Sequence, residues 1–276
     1  MNAPSVIRRS GPAVVPAFGL SLAVGLFLAV PVAVLVWRAV AEGGLGRALA
    51  SDAVVAALGL SLVTTGVSLA LTVAFGTPLA YLLARRRFPG ASLVETVVDL
   101  PIVLPPSVAG LALLLVFGRL GPVGRPLDEA GIGVAFTTAA VVLAQVFVAA
   151  PFYIRSARAG FGAVDRDLED AARVDGADEG QVARHVTIPL AATALAAGVV
   201  MSWARALGEF GATIMFAGNL TGRTQTLPLV VYAEFQAGDV DASVAAAAVL
   251  VLAAVGVLVA VRLLGWGRVL DVRGGA

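Results

Sequence analysis

Apolar residues in this chain fall into six long runs, at about 13–37, 54–84, 92–117, 137–154, 190–216 and 242–264, with polar connectors between them. Each run reaches the roughly 17–25 residues that a helix needs to cross a bilayer. The pattern predicts an all-α integral membrane protein with about six transmembrane helices and no soluble domain. Arg8 and Arg9 precede the first run, as in a secretory signal. That run exceeds the roughly 7–15 residues of a signal core, and further spans follow, so it is read as a first transmembrane helix.

Three runs carry internal detail. In the second, Ser61, Thr64, Thr65, Ser68 and Thr72 stand among small residues, a composition suited to close helix packing. The third contains Leu100-Pro101-Ile102-Val103-Leu104-Pro105-Pro106-Ser107. These prolines predict a broken or kinked element, sheltered by protein or lining a polar path. Glu95 and Asp99 near its start need water or partners. In the fifth run Arg205 and Glu209, four residues apart, share one helix face. Charges inside a membrane helix are functional candidates, either as a mutual pair that fixes packing or with Arg205 in a weak anion path. Gly208 and Gly211 permit close backbone approach, for packing or for a gate.

The longest polar interruption, 155–189, is the informative one. Asp165, Asp167, Glu169 and Asp170 crowd the start of a short amphipathic segment, where a helix N-terminus favours acids. Asp165 is the expected N-cap and Gly176 the expected stop. Val164, Leu168, Ala171 and Ala172 give a narrow apolar stripe. Asp178-x-x-Gln181 reads as a capping box opening a second short helix, which Pro189 ends. The local pattern predicts two short helices in water that present small residues to a partner.

Composition narrows the function. Residues are 59% hydrophobic and 13% charged, with net charge +1, which argues against a nucleic-acid surface. Cysteine is absent and His185 is the only histidine, so disulfides and thiolate metal sites are excluded and a histidine-based centre is disfavoured. All 19 basic residues are arginine; without lysine the chain has no P-loop lysine and is not its own P-loop ATPase. Thirteen of the arginines flank the side bearing both termini and the 155–189 insert, against five on the opposite connectors. This predicts cytosolic termini and a cytosolic insert.

The insert resembles the EAA loop of bacterial ABC-transporter permeases, E-A-A, three residues, G, nine residues, I-x-L-P. Here the pattern falls on Asp170-Ala171-Ala172, Gly176 and Val186-Thr187-Ile188-Pro189, with Glu169 immediately before the leading acid. The resemblance implies that Glu169, Asp170, Ala171, Ala172, Gly176, Val186, Ile188 and Pro189 couple the chain to a cytosolic ATPase. A second stretch, Arg205-Ala206-Leu207-Gly208-Glu209-Phe210-Gly211-Ala212, is similar to the molybdate and sulfate branch of these permeases. Thr213 to Asn219, Leu104 to Gly110 and Phe117 to Gly124 resemble the molybdate members. Ser107, Arg205, Gly208, Glu209, Gly211 and Thr213 are the candidates for a translocation path or its packing.

The resemblance covers roughly 54–264, a permease core of five spans. Residues 1–53 add a tail, the first span and an external connector, and 265–276 form a short tail. It implies the type I importer fold, a bacterial plasma-membrane location, a homodimer, separate ATPase subunits that hold ATP and Mg2+, and an extracytoplasmic molybdate-binding protein docking at 118–136 and 217–241. No cofactor is expected on this chain. The competing readings are a sulfate or thiosulfate permease of the same architecture, and an ion-gradient transporter using Glu209 or Asp99 as a proton carrier. An intramembrane enzyme lacks the residues it needs.

Overall fold

The computed structural model describes residues 14–261, and every regular element among them is helical. Arg8, Arg9, Arg262, Arg268, Arg273 and the 265–276 tail lie outside the described residues. Helix α1 (Val14–Ala41) is followed by the short α2 (Gly44–Leu49) and by α3 (Asp52–Arg85). At 34 residues α3 is about 51 Å long, well beyond a ~30 Å hydrocarbon core, so one or both of its ends reach past the bilayer core.

The third apolar run is broken where its prolines predict. α4 (Ala91–Val103) and α5 (Pro106–Phe117) meet at Leu104-Pro105 with a bend of 118°. Neither half, at roughly 18–20 Å, crosses a bilayer alone. α6 (Gly124–Glu129) lies in the next connector, and α7 (Thr138–Ala163) follows. The predicted fourth span, 137–154, is therefore too short. α7 continues to Ala163 because Ala157, Gly160 and Phe161 are buried by neighbouring helices. Its arginines also find carboxylates on α4, Arg155 at 3.6 Å from Asp99 and Arg158 at 2.7 Å from Glu95. These are the partners that the two acids needed. The polar insert thus begins at Val164 and not at 155.

The insert comprises α8 (Arg166–Val174), α9 (Glu179–Val182), a π turn at Ala183–Thr187 and α10 (Ile188–Leu190). Pro189 does not end the second helix, contrary to expectation. The Ile188 N–H bonds back to the Ala183 carbonyl, the wider π register just ahead of the proline ring. The axis turns by 72° only at Ala191, before α11 (Ala192–Leu207).

The predicted fifth span, 190–216, is likewise two pieces, α11 and α12 (Gly211–Phe216), interrupted at Gly208-Glu209-Phe210. The connector at 217–241 contains α13 (Leu227–Gln236), and α14 (Val240–Val261) is the last described element. Among the described residues, four helices are long and apolar enough to cross a membrane, or up to six if each bent pair is one span.

The centre is α3 against α7 against α11. Small residues let the backbones close in: a Cβ on Gly160 would lie 2.5 Å from Ala194 Cβ, and one on Gly198 2.9 Å from Ser156 Cβ. Ser156 and Ser202 hydroxyls donate across this interface to the carbonyls of Ala194 and Ala149. Ser61, Thr64, Thr65, Ser68 and Thr72 lie on the buried face of α3, the packing role that hydroxyls among small residues suggested. Ser61 Oγ accepts the Leu227 N–H at 2.8 Å and so caps α13. α1 stands outside this core, tied to α14 by Arg38, whose Nη2 lies 2.8 Å from Asp241.

Candidate functional site

Two regions collect the residues that the sequence singled out. The first is the insert. Asp165 caps α8 by accepting the Asp167 N–H at 3.0 Å. Gly176 has φ +92°, and the bonds from Gly176 N–H to Arg173 O and from Ala177 N–H to Ala172 O close a Schellman motif. A Cβ at Gly176 would meet nothing within 4 Å, so this glycine serves the turn and leaves the surface open. The Asp178–Gln181 capping box is complete, at 2.8 and 2.9 Å.

Arg173 staples α8 to α9, 2.6 Å from Asp170 and 2.9 Å from Glu179. The hydrogen bond from Arg173 holds the Glu179 carboxyl below the usual carboxylate range, and Glu179 in turn raises the already high pKa of Arg173. Outside this staple the insert offers Leu168, Ala171, Val174, Gly176, Ile188 and Pro189 at its surface. Val186 and Ala172 are half-buried, and His185 is exposed.

The two adjacent acids separate cleanly. Asp170 is exposed, while Glu169 is buried and ion-paired with Arg85 of α3 at 2.9 Å, with side-chain exposures of 4% and 7%. Thr187 Oγ donates to the same carboxylate at 2.6 Å, and Arg85 Nη2 also donates to the Val164 carbonyl at 2.9 Å. Arg85 and Thr187 are missed by sequence reasoning. Arg85 reads as a basic helix end, and Thr187 occupies the motif's variable position.

The second region is a pair of helix breaks brought together. A Cβ on Gly110 of α5 would lie 2.5 Å from the Ala212 carbonyl oxygen, and one on Gly211 would lie 2.8 Å from Pro106 Cβ. Gly211 therefore provides the close approach expected of it. Gly208 does not, since its nearest contact would be an ordinary 3.6 Å. Glu209, 1% exposed, accepts the Ala212 N–H at 2.6 Å through Oε1, and its Oε2 lies 2.6 Å from Arg205 Nη1. One carboxylate thus caps the restarted helix and neutralises the partly buried arginine.

Thr213 is fully buried with its hydroxyl lacking a protein partner, while Ser107 and Gly208 are exposed beside the breaks. Gln145 of α7, also missed, donates from Nε2 to Thr65 Oγ at 3.3 Å and to the Ala206 carbonyl at 3.2 Å, a carbonyl in the last turn before the α11 break. An amide alone in an apolar run was the available signal.

At the end of the bundle opposite the insert, an open cavity of about 880 Å³ lies between the 118–137 connector and Leu220 to Arg223. Arg119 and Arg223 line it with Asp128, 3.5 Å from Arg119. Among the described residues no cluster of three or more His, Cys, Asp and Glu is arranged to hold a metal ion.

Residues 76–267 match the family described as binding-protein-dependent transport system inner membrane component. The molybdenum transport system permease protein ModB of Mycobacterium tuberculosis is 46% identical over 198 residues, covering 72% of this chain and 75% of that one. The sulfate transport system permease protein CysW of Synechococcus elongatus is 38% identical over 224 residues, covering 79% and 78%. A solved bacterial ABC transporter involved in alginate import has the same fold, with a TM-score of 0.72 at 18% identity over 91% of this chain and 94% of that one. The chain belongs to the binding-protein-dependent transport system inner membrane component family and is a multi-pass ABC importer permease similar to the molybdenum and sulfate permeases.

Proposed function

We propose that this chain is the membrane-spanning subunit of an ATP-driven importer for molybdate or the near-identical tungstate. The observation that carries the substrate is the 46% identity to a molybdenum permease over 198 residues. The residues themselves fit a dianion that must pass and not lodge. A dianion in a low-dielectric path is strongly disfavoured, yet a free buried cation would trap it. Glu209 removes that trap by neutralising Arg205 and leaves hydroxyls and backbone dipoles at the breaks.

Irregular backbone at membrane depth needs cover from protein or water. Pro105 to Val108 and Gly208 are exposed in the single chain, which supports a second copy of the chain packed over this face and a path along the shared interface. The arginine distribution supports cytosolic termini and a cytosolic insert, which is where an ATPase would meet Asp170, Ala171, Ala172 and Gly176. ATP and Mg2+ then belong to that partner. The cavity at Arg119 and Arg223 faces outward in this orientation and is the surface for the molybdate-binding protein.

In the cycle, ATP binding draws the ATPase subunits together and moves the inserts. The two permeases open outward to receive the ion, and hydrolysis returns them inward.

A sulfate permease is the second reading, favoured by the 38% identity to CysW. Competition decides between them. Labelled molybdate uptake by the reconstituted transporter is expected to persist in excess sulfate, and uptake abolished by sulfate reassigns the substrate while keeping the architecture.

A further inference from the structure

The insert follows α7 and precedes α11 by chain connection, but its link to α3 is made only by side chains. Three segments converge on one carboxylate there: Arg85 at the end of α3, Glu169 in the middle of α8, and Thr187 in the π turn. Arg85 also holds the Val164 carbonyl, at the hinge where α7 gives way to the insert. We propose that the Arg85–Glu169–Thr187 joint positions α3 on the insert and delivers the insert's displacement to that helix. The proposal rests on the importer reading of the insert.

Chemistry and location both favour this role. A buried ion pair gives little net stability, but with good geometry it fixes one arrangement against others. The neighbouring Arg86–Glu179 pair, 3.5 Å apart and well exposed, lacks that character. Arg85 reaches Glu169 through Nη2 at 2.9 Å, and the same nitrogen holds the Val164 carbonyl, so one buried guanidinium nitrogen ties α3 to both ends of this joint. Farther along, the same helix presents Thr65 to Gln145, whose amide holds the Ala206 carbonyl beside the α11 break. A displacement applied at Glu169 therefore has a continuous set of packed contacts to the paired breaks.

The test is the number of ions imported per ATP hydrolysed, in proteoliposomes holding the complete transporter, with whichever of molybdate or sulfate the unaltered protein takes up. Arg85→Gln and Glu169→Gln are each expected to lower the ratio roughly ten-fold, and their combination to do no worse than either alone. The exchange Arg85→Glu with Glu169→Arg should recover a large part of the loss, and Arg86→Gln should leave the ratio unchanged. Thr187→Val, which removes one hydroxyl without emptying the joint of charge, is expected to lower it about three-fold. A joint that merely stabilises the fold would reduce the amount of assembled transporter at a constant ratio, and that result overturns the proposal. Should the charge variants fail to assemble, Thr187→Val decides by the same ratio. Absence of ATP-dependent uptake by the unaltered protein is a distinct outcome, which refutes the importer reading itself.

Discussion

Gly211 stands so close to Pro106 that a Cβ on the glycine would lie 2.8 Å from the proline Cβ. The contact joins the break between α4 and α5 to the break between α11 and α12. It predicts a sharp contrast between two nearby glycines. Gly211→Ala must push α12 off α5, at a cost of about 1–3 kcal/mol. Gly208→Ala meets only an ordinary contact at 3.6 Å and should cost less than about 1 kcal/mol. Thermal unfolding of the two variants in detergent checks this; equal Tm values would contradict the close packing.

Glu209 has two tasks, and substitutions separate them. Glu209→Ala strips Arg205 of its counter-ion and α12 of its cap, and should destabilise by roughly 3–5 kcal/mol. Glu209→Gln retains an acceptor for the Ala212 N–H and should recover a measurable part of that loss. Denaturation midpoints of the two variants provide the comparison. Identical losses would mean that the cap contributes nothing.

Gly176 is held at φ +92° with open space above it. Gly176→Ala should cost about 1–2 kcal/mol in the local turn, because L-residues resist that conformation. Gly176→Trp should in addition block the open surface. It is expected to insert into the membrane normally yet fail to retain the ATPase in a pull-down and to abolish uptake. Normal uptake by this variant would remove the insert from the coupling role.

The Arg173–Glu179 staple has a defined pH range. Glu179 has a lowered folded pKa, so its contribution is present above the unfolded value of about 4.3 and is lost as pH falls through the folded value. The raised pKa of Arg173 keeps it charged throughout. A spin label at Ala177 should therefore show constant mobility from pH 8 to pH 5 and loosen only in stronger acid. Loosening near pH 6 would show that another group holds the two helices.

Much of this architecture was legible in the sequence where the cause is local. The capping box at Asp178, the cap at Asp165 and the turn at Gly176 depend on neighbours within a few residues. The proline break at Leu104-Pro105 depends on ring geometry and was equally readable. What escaped depends on distant partners. Arg155 and Arg158 looked like loop residues because Asp99 and Glu95, which keep them on a helix, lie on another element. The interruption at Gly208-Glu209-Phe210 sits in an apolar run without proline, and only the folded chain presents Glu209 to Ala212. Residue type favours Glu169 as the leading acid and spacing favours Asp170; Arg85 separates them, and its arrival at α8 is a tertiary event.

The most direct test of the account is labelled molybdate uptake into proteoliposomes that contain this chain, its ATPase and its binding protein, with ATP present or absent and with ion gradients collapsed by an uncoupler. The account predicts uptake that requires ATP and survives the uncoupler. Uptake that proceeds without ATP and disappears with the uncoupler would contradict it, and would identify an ion-gradient transporter.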